Sequence, residues 1–191
     1  MTLRLFSLAL LSLPSLVFTA NPATAQRTVI EDFQRYKVGD RPERWHRIVG
    51  RGTVAIDQSF GGPDEHFKVV NVDGRKALEA YTRNQSHSIV LPNGHGYDWR
   101  LSRTPWLSWM WKAEHLPAGA REDVKDKNDA GIAVYVTFDA DVLGRPRSIK
   151  YTYSSTLPVG TVVSFGSRLK AIVVDSGVSR VGTWRRVDRN V

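Results

Sequence analysis

Two strongly patterned apolar runs lie close together in this chain: Trp106-Leu107-Ser108-Trp109-Met110-Trp111 and Ile132-Ala133-Val134-Tyr135-Val136-Thr137-Phe138. A polar, charge-dense connection from Glu114 to Asp129 separates them. In the first run Leu107, Trp109, Trp111 and Ala113 share one face of a pleat; in the second Ile132, Val134, Val136 and Phe138 do. A two-residue period in segments rich in aromatic and β-branched residues predicts neighbouring strands whose apolar faces meet in an all-β core. The charged connection then emerges as a loop at one end.

The remaining segments agree with that class. Phe67 to Val72 and Lys76 to Thr82 flank Asp73-Gly74, a pair suited to the positive dihedrals of a tight hairpin turn. Further extended stretches are expected at Thr28 to Ile30, His46 to Val49, Thr53 to Asp57, His87 to Leu91 and Ser148 to Ser154. Leu169 to Val174 is a near-continuous apolar run, which fits a strand covered on both faces. No segment carries a sustained helical period with a cap and a stop. Short strands between Gly, Pro and Asn or Asp turns predict an antiparallel β-sandwich or jelly roll.

Arg4, the apolar segment Leu5 to Phe18 and the closing Ala23-Thr24-Ala25 have the form of a cleavable secretory signal, too short for a spanning helix. Residues 1–25 are therefore expected to be removed, leaving residues 26–191 as a single domain in the periplasm or outside the cell. No later stretch approaches the roughly twenty apolar residues that a transmembrane helix needs. The chain has no cysteine, so disulfides and thiolate chemistry are excluded. Its net charge of +8 is spread among acids, with no basic run longer than a pair such as Arg185-Arg186. That pattern argues against a nucleic-acid partner. An envelope polysaccharide is the better match.

The central block Leu107 to Trp111, Leu116-Pro117, Lys125-Asp126 through Asp129-Ala130, and Val134 to Asp139 resembles an exported bacterial family known as domain of unknown function 3047. Phe67 to Val70, Gly74 to Leu78, Ile149 to Ser154, Trp184 and Arg189-Asn190-Val191 extend the resemblance from about Glu31 to the last residue. It implies a carbohydrate-binding-like β-sandwich in the cell envelope, without assigned catalytic residues. This chain departs at Met110, where the family tends to carry Arg, and at Lys127-Asn128, where the family is more acidic. The family also continues into a short helix and a closing strand, so the resemblance implies a domain truncated at its C-terminus.

Candidate ligand-binding residues follow from chemistry. An exposed aromatic ring packs against the C–H face of a sugar while nearby polar groups hold its hydroxyls. Trp99, beside a turn, Tyr135, on the face opposite Val134, Val136 and Phe138, and Tyr151 and Tyr153, on the face opposite Lys150 and Thr152, are the candidate rings. Trp109 and Trp111 read as core. In the charged loop, Lys125, Asp126 and Asp129 are candidates, with Lys125 and Asp126 expected to brace the start of the Ile132 strand. The loop acids Glu122, Asp123, Asp126 and Asp129 would also suit a structural calcium ion, although Arg121, Lys125 and Lys127 suit a solvated ion network better. No other metal or cofactor is expected, because His46, His66, His87, His95 and His115 occur singly.

The leading expectation is thus a non-catalytic binder of a glycan or other envelope component, with no catalytic residue assigned. A polysaccharide hydrolase or lyase using strand-end acids such as Asp139 and Asp141 is the alternative, and a structural or partner-binding module is the third reading.

Overall fold

A computed structural model describes residues 27–50, 52–83, 87–140 and 145–191. The leader and Asp141 lie outside the described residues. Residues up to Asp32 form a separate unit; the body runs from Phe33 to Val191. Thr28 to Ile30, expected as a strand, is not in one.

The body is nearly all β. Its strands are β1 (His46–Val49), β2 (Gly52–Ala55), β3 (Glu65–Val72), β4 (Arg75–Thr82), β5 (Ile89–Val90), β6 (Trp106–Trp111), β7 (Ile132–Ala140), β8 (Pro146–Ser154), β9 (Val162–Phe165), β10 (Leu169–Ser176) and β11 (Arg185–Asn190). The expected hairpin is present: β3 and β4 pair antiparallel, and Asp73 and Gly74 at their junction have φ of 54° and 76°. Both signs are what a two-residue turn matched to strand twist requires. Strands β2, β1 and β5 form a second small antiparallel sheet.

The rest of the body's sheet structure is a four-stranded sheet, in the order β7-β8-β10-β9, and a two-stranded ribbon of β6 with β11. The expectation of purely antiparallel sheets is corrected at one place, since β8 and β10 run parallel. A parallel pair needs a crossover of a dozen residues or more, and residues 155–168, which include β9, supply it. The strand β9 then pairs antiparallel with the far side of β10. The apolar run of β10 is explained by this placement: Ala171, Val173 and Val174 are all buried in a strand with neighbours on both edges.

Between ribbon and sheet lies an aromatic core. Trp111, Ala113, Val136, Tyr151, Tyr153, Val174 and Val187 are its buried members, with Leu107, Trp109, Ile132, Val134 and Phe138 packed against them. Both apolar faces expected from the sequence therefore point into the same core. The Trp111 ring stacks on Tyr153 at 6.1 Å between centroids, and Trp109 meets Tyr151 at 5.4 Å. Such pairs add about 0.5–1.5 kcal/mol beyond simple area burial. At one end the buried Asp175 carboxylate accepts a hydrogen bond from Arg185 Nε at 3.0 Å, with Arg180 at 3.5 Å on its other oxygen. Successive residues on β11 face opposite ways, so Arg186 instead binds Asp188 on the outside.

Trp111 is 3% exposed, so Trp111→Ala should cost about 3–5 kcal/mol in urea unfolding, the range for emptying a buried large side chain. Tyr153→Phe loses the hydroxyl bond to the Gly177 carbonyl and should cost about 1 kcal/mol. Equal costs for the two would contradict the interlocked core.

Candidate functional site

The outer face of the four-stranded sheet, turned away from the ribbon, is where the sequence candidates converge. Along β8 the side chains alternate: Tyr151 and Tyr153 go to the core, while Ser148, Lys150, Thr152 and Ser154 go to the outer face. Tyr135 on β7 lies opposite Lys150, and Thr137 opposite Ser148. Because Val134 and Val136 face the core, Tyr135 must face out. It is 45% exposed.

The charged connection folds over one end of this face. Glu122, 1% exposed, accepts hydrogen bonds from Ser154 Oγ at 2.6 Å and Thr152 Oγ1 at 3.4 Å. Ser155 Oγ donates to the Pro117 carbonyl at 2.5 Å and Thr156 Oγ1 to the Ala120 carbonyl at 2.6 Å. Four side-chain bonds thus tie residues 117–122 to residues 152–156. A buried carboxylate without partners would cost several kcal/mol, so the two hydroxyls are what allow Glu122 to sit there. Ala120, Leu157, Ala171 and Val173 are buried as well, so β8 is covered on both faces near its end.

Beyond the covered end, Lys150 sits with its ammonium 5.8 Å from the centroid of the Tyr135 ring, a cation–π arrangement. Desolvation holds the Lys150 amine below its ordinary pKa, opposed by the nearby Glu122 and Asp129 carboxylates. Desolvation around its hydroxyl likewise pushes the Tyr135 phenol up. Thr137 Oγ1 and Ser148 Oγ, 3.0 Å apart, continue the polar row along the sheet. The result is a ring with one open face, a partly dehydrated cation, an exposed carboxylate at Asp129 and two hydroxyls. That set can stack on an apolar surface and hydrogen-bond around it.

Of the expected site residues, Tyr135 and Asp129 both act on Lys150: the Tyr135 ring lies 5.8 Å from its ammonium, and the Asp129 carboxylate favours its charged form. The structure removes Tyr151 and Tyr153 from any exposed platform, because alternation turns both into the aromatic core. Trp99 is half-buried against that same core; its indole N–H donates to the Thr104 carbonyl at 2.6 Å and its backbone is pinned at both ends by Asn93. Lys125 and Asp126 lie in a short 3-10 turn, Lys125–Lys127, and do not brace the Ile132 strand: among the described residues neither side chain forms a hydrogen bond or ion pair. Asp123 is held by Arg121 at 2.6 Å, which lowers its pKa. Among the described residues no group of three or more His, Asp or Glu side chains is arranged to hold a metal, and no helix is long and apolar enough to cross a membrane.

Sequence reasoning undervalued two acids. Glu122 reads as one of many charges in a loop, and Asp175 as a strand end, yet both are buried. The available signal was the hydroxyl pair Thr152 and Ser154, placed where a fully apolar strand face would be expected.

The chain belongs to the DUF3047 family: the model for that family, described as a protein of unknown function, matches residues 57–191. No curated protein and no solved structure matches it.

Lys150 should titrate below the ordinary lysine value when its side-chain carbon shifts are followed by NMR. Asp129→Asn removes a charge that favours the ammonium, so it should move the Lys150 midpoint further down. A Lys150 midpoint at or above the ordinary lysine value would contradict the desolvated placement.

Proposed function

We propose that this member of the DUF3047 family is a non-catalytic β-sandwich protein of the bacterial envelope that binds a glycan on the outer face of its four-stranded sheet. The observation that carries this reading is Tyr135: an aromatic ring open on one side and flanked by Lys150, Asp129 and the Thr137–Ser148 hydroxyl pair. Sugar rings present the complementary surface, apolar C–H faces edged by hydroxyls. The leader-like residues 1–25 support export, and the two-layer packing of ribbon on sheet supports the sandwich reading.

Binding is favoured over hydrolysis by the state of the buried acids. Glu122 is engaged by Ser154 and Thr152, and Asp175 by Arg185 and Arg180. Neither is presented as half of a carboxylate pair held across a sugar, which glycoside cleavage requires.

The test is a panel of insoluble cell-wall and exopolysaccharides. The protein should be retained on at least one without release of reducing ends, and Tyr135→Ala should weaken that retention about tenfold, the scale of one lost stacking contact. Because Tyr135 lies outside the core, the same variant should keep its unfolding free energy within about 0.5 kcal/mol. Unchanged retention by Tyr135→Ala, or release of reducing ends, would overturn the proposal.

A further inference from the structure

The small sheet β2-β1-β5 ends on an open strand. Among the described residues β2 pairs with β1 alone, and all four of its residues, Gly52, Thr53, Val54 and Ala55, are exposed. The Ile56 amide donates to the Trp45 carbonyl at 2.9 Å, which fixes the phase of the ladder. Because antiparallel pairs alternate, Arg47 with Val54 and Val49 with Gly52 are then the bonded pairs, and the N–H and C=O groups of Thr53 and Ala55 point outward along the free edge. Among the described residues no hydrogen bond engages those groups. Folded chains commonly protect such an edge with Lys, Pro or a bulge. Here the edge carries no charge and no proline, and its register runs without a shift; shortness is its one protection.

A cleft of about 290 Å³ follows the same edge. Residues 54–57 line it, and residues 59–61 join them through the turn that the Phe60 amide closes on the Asp57 carbonyl at 3.1 Å. Arg47 is the cation of the cleft. It stands directly across from Val54 on the same face of the sheet, and both residues are exposed. Among the described residues the Arg47 guanidinium has neither a hydrogen bond nor an ion pair. Asp57, the acid that lines the cleft, is engaged elsewhere: its Oδ1 accepts from the Ser59 amide at 2.8 Å and from Ser59 Oγ at 2.5 Å. Those bonds, ahead of the more distant Arg47 charge, hold its pKa down.

We infer that the free edge of β2 is a docking site for an extended acidic peptide, which adds a strand beside β2, bonds the outward backbone groups of Thr53 and Ala55, and places a carboxylate on Arg47. Two N–H and two C=O groups at strand spacing are complementary to another extended backbone, and main-chain pairing of this kind supplies affinity. The guanidinium beside them supplies the preference for a carboxylate through charge-assisted hydrogen bonds. Val54 and the half-buried Phe60 offer apolar contact to alternate side chains of the docked strand. The site is on a different sheet from Tyr135 and does not rest on the glycan reading.

The experiment is fluorescence anisotropy of the intact protein with labelled octapeptides that alternate Val with Glu or Val with Gln. The Val-Glu probe should bind, the Val-Gln probe should bind about tenfold more weakly, and R47Q should bring the two within about twofold of each other. Proline is tolerated on an edge strand where the lost N–H faces solvent, so A55P should keep its melting temperature while binding the Val-Glu probe at least about tenfold more weakly. Amide exchange of the unaltered protein gives a readout that needs no variant: saturating Val-Glu peptide should slow the Thr53 and Ala55 amides about tenfold or more. No binding of the Val-Glu probe, equal affinity for the two probes, undiminished binding by A55P, or unprotected Thr53 and Ala55 amides would each overturn the assignment. So would a concentration-dependent dimer in sedimentation velocity that A55P abolishes, since the edge would then belong to a second copy of the chain.

Discussion

Everything that positions the candidate site depends on β8 being buried from both sides. On its inner side Tyr151 and Tyr153 interlock with Trp109 and Trp111 of the ribbon. On its outer side Thr152 and Ser154 hold Glu122, and with it the loop that covers the sheet. The two sides use different physics. Aromatic burial supplies the non-directional stabilisation that a chain without disulfides must find in its core. The hydroxyl–carboxylate bonds supply direction, because a buried carboxylate tolerates only the geometry that satisfies it.

That division also places the exposed chemistry. Where the loop stops, the outer face opens at Tyr135 and Lys150. Their side chains are presented by paired strands rather than by loops, so their spacing is fixed by register. Desolvation of Lys150 follows from the same geometry, since a strand side chain standing beside Tyr135 cannot turn fully into water.

Much of the fold was legible in the sequence, and particular residues show why. The alternation of Leu107, Trp109 and Trp111 and of Ile132, Val134 and Val136 fixed which side of each strand is apolar, and Asp73-Gly74 located a turn that only positive dihedrals can make. Pairing was not legible. The partner of β6 is β11, Arg-Arg-Val-Asp-Arg-Asn, in which Val187 alone looks like a core residue. Arg185 faces inward only because Asp175, on another strand, neutralises it. The roles of Tyr151 and Tyr153 were hidden for a related reason: alternation separates two faces but does not say which is outside, and in β8 both faces are covered. Tyr135 could be placed correctly because β7 has one plainly apolar face.

Amide hydrogen exchange tests this account most directly. If β8 is the element sealed on both sides, the backbone N–H groups of Tyr151 to Ser154 should be among the slowest in the protein, exchanging only through global unfolding, while those of β2, exposed along its length, exchange early. Exchange of the Tyr151 to Ser154 amides as early as those of β2 would contradict it.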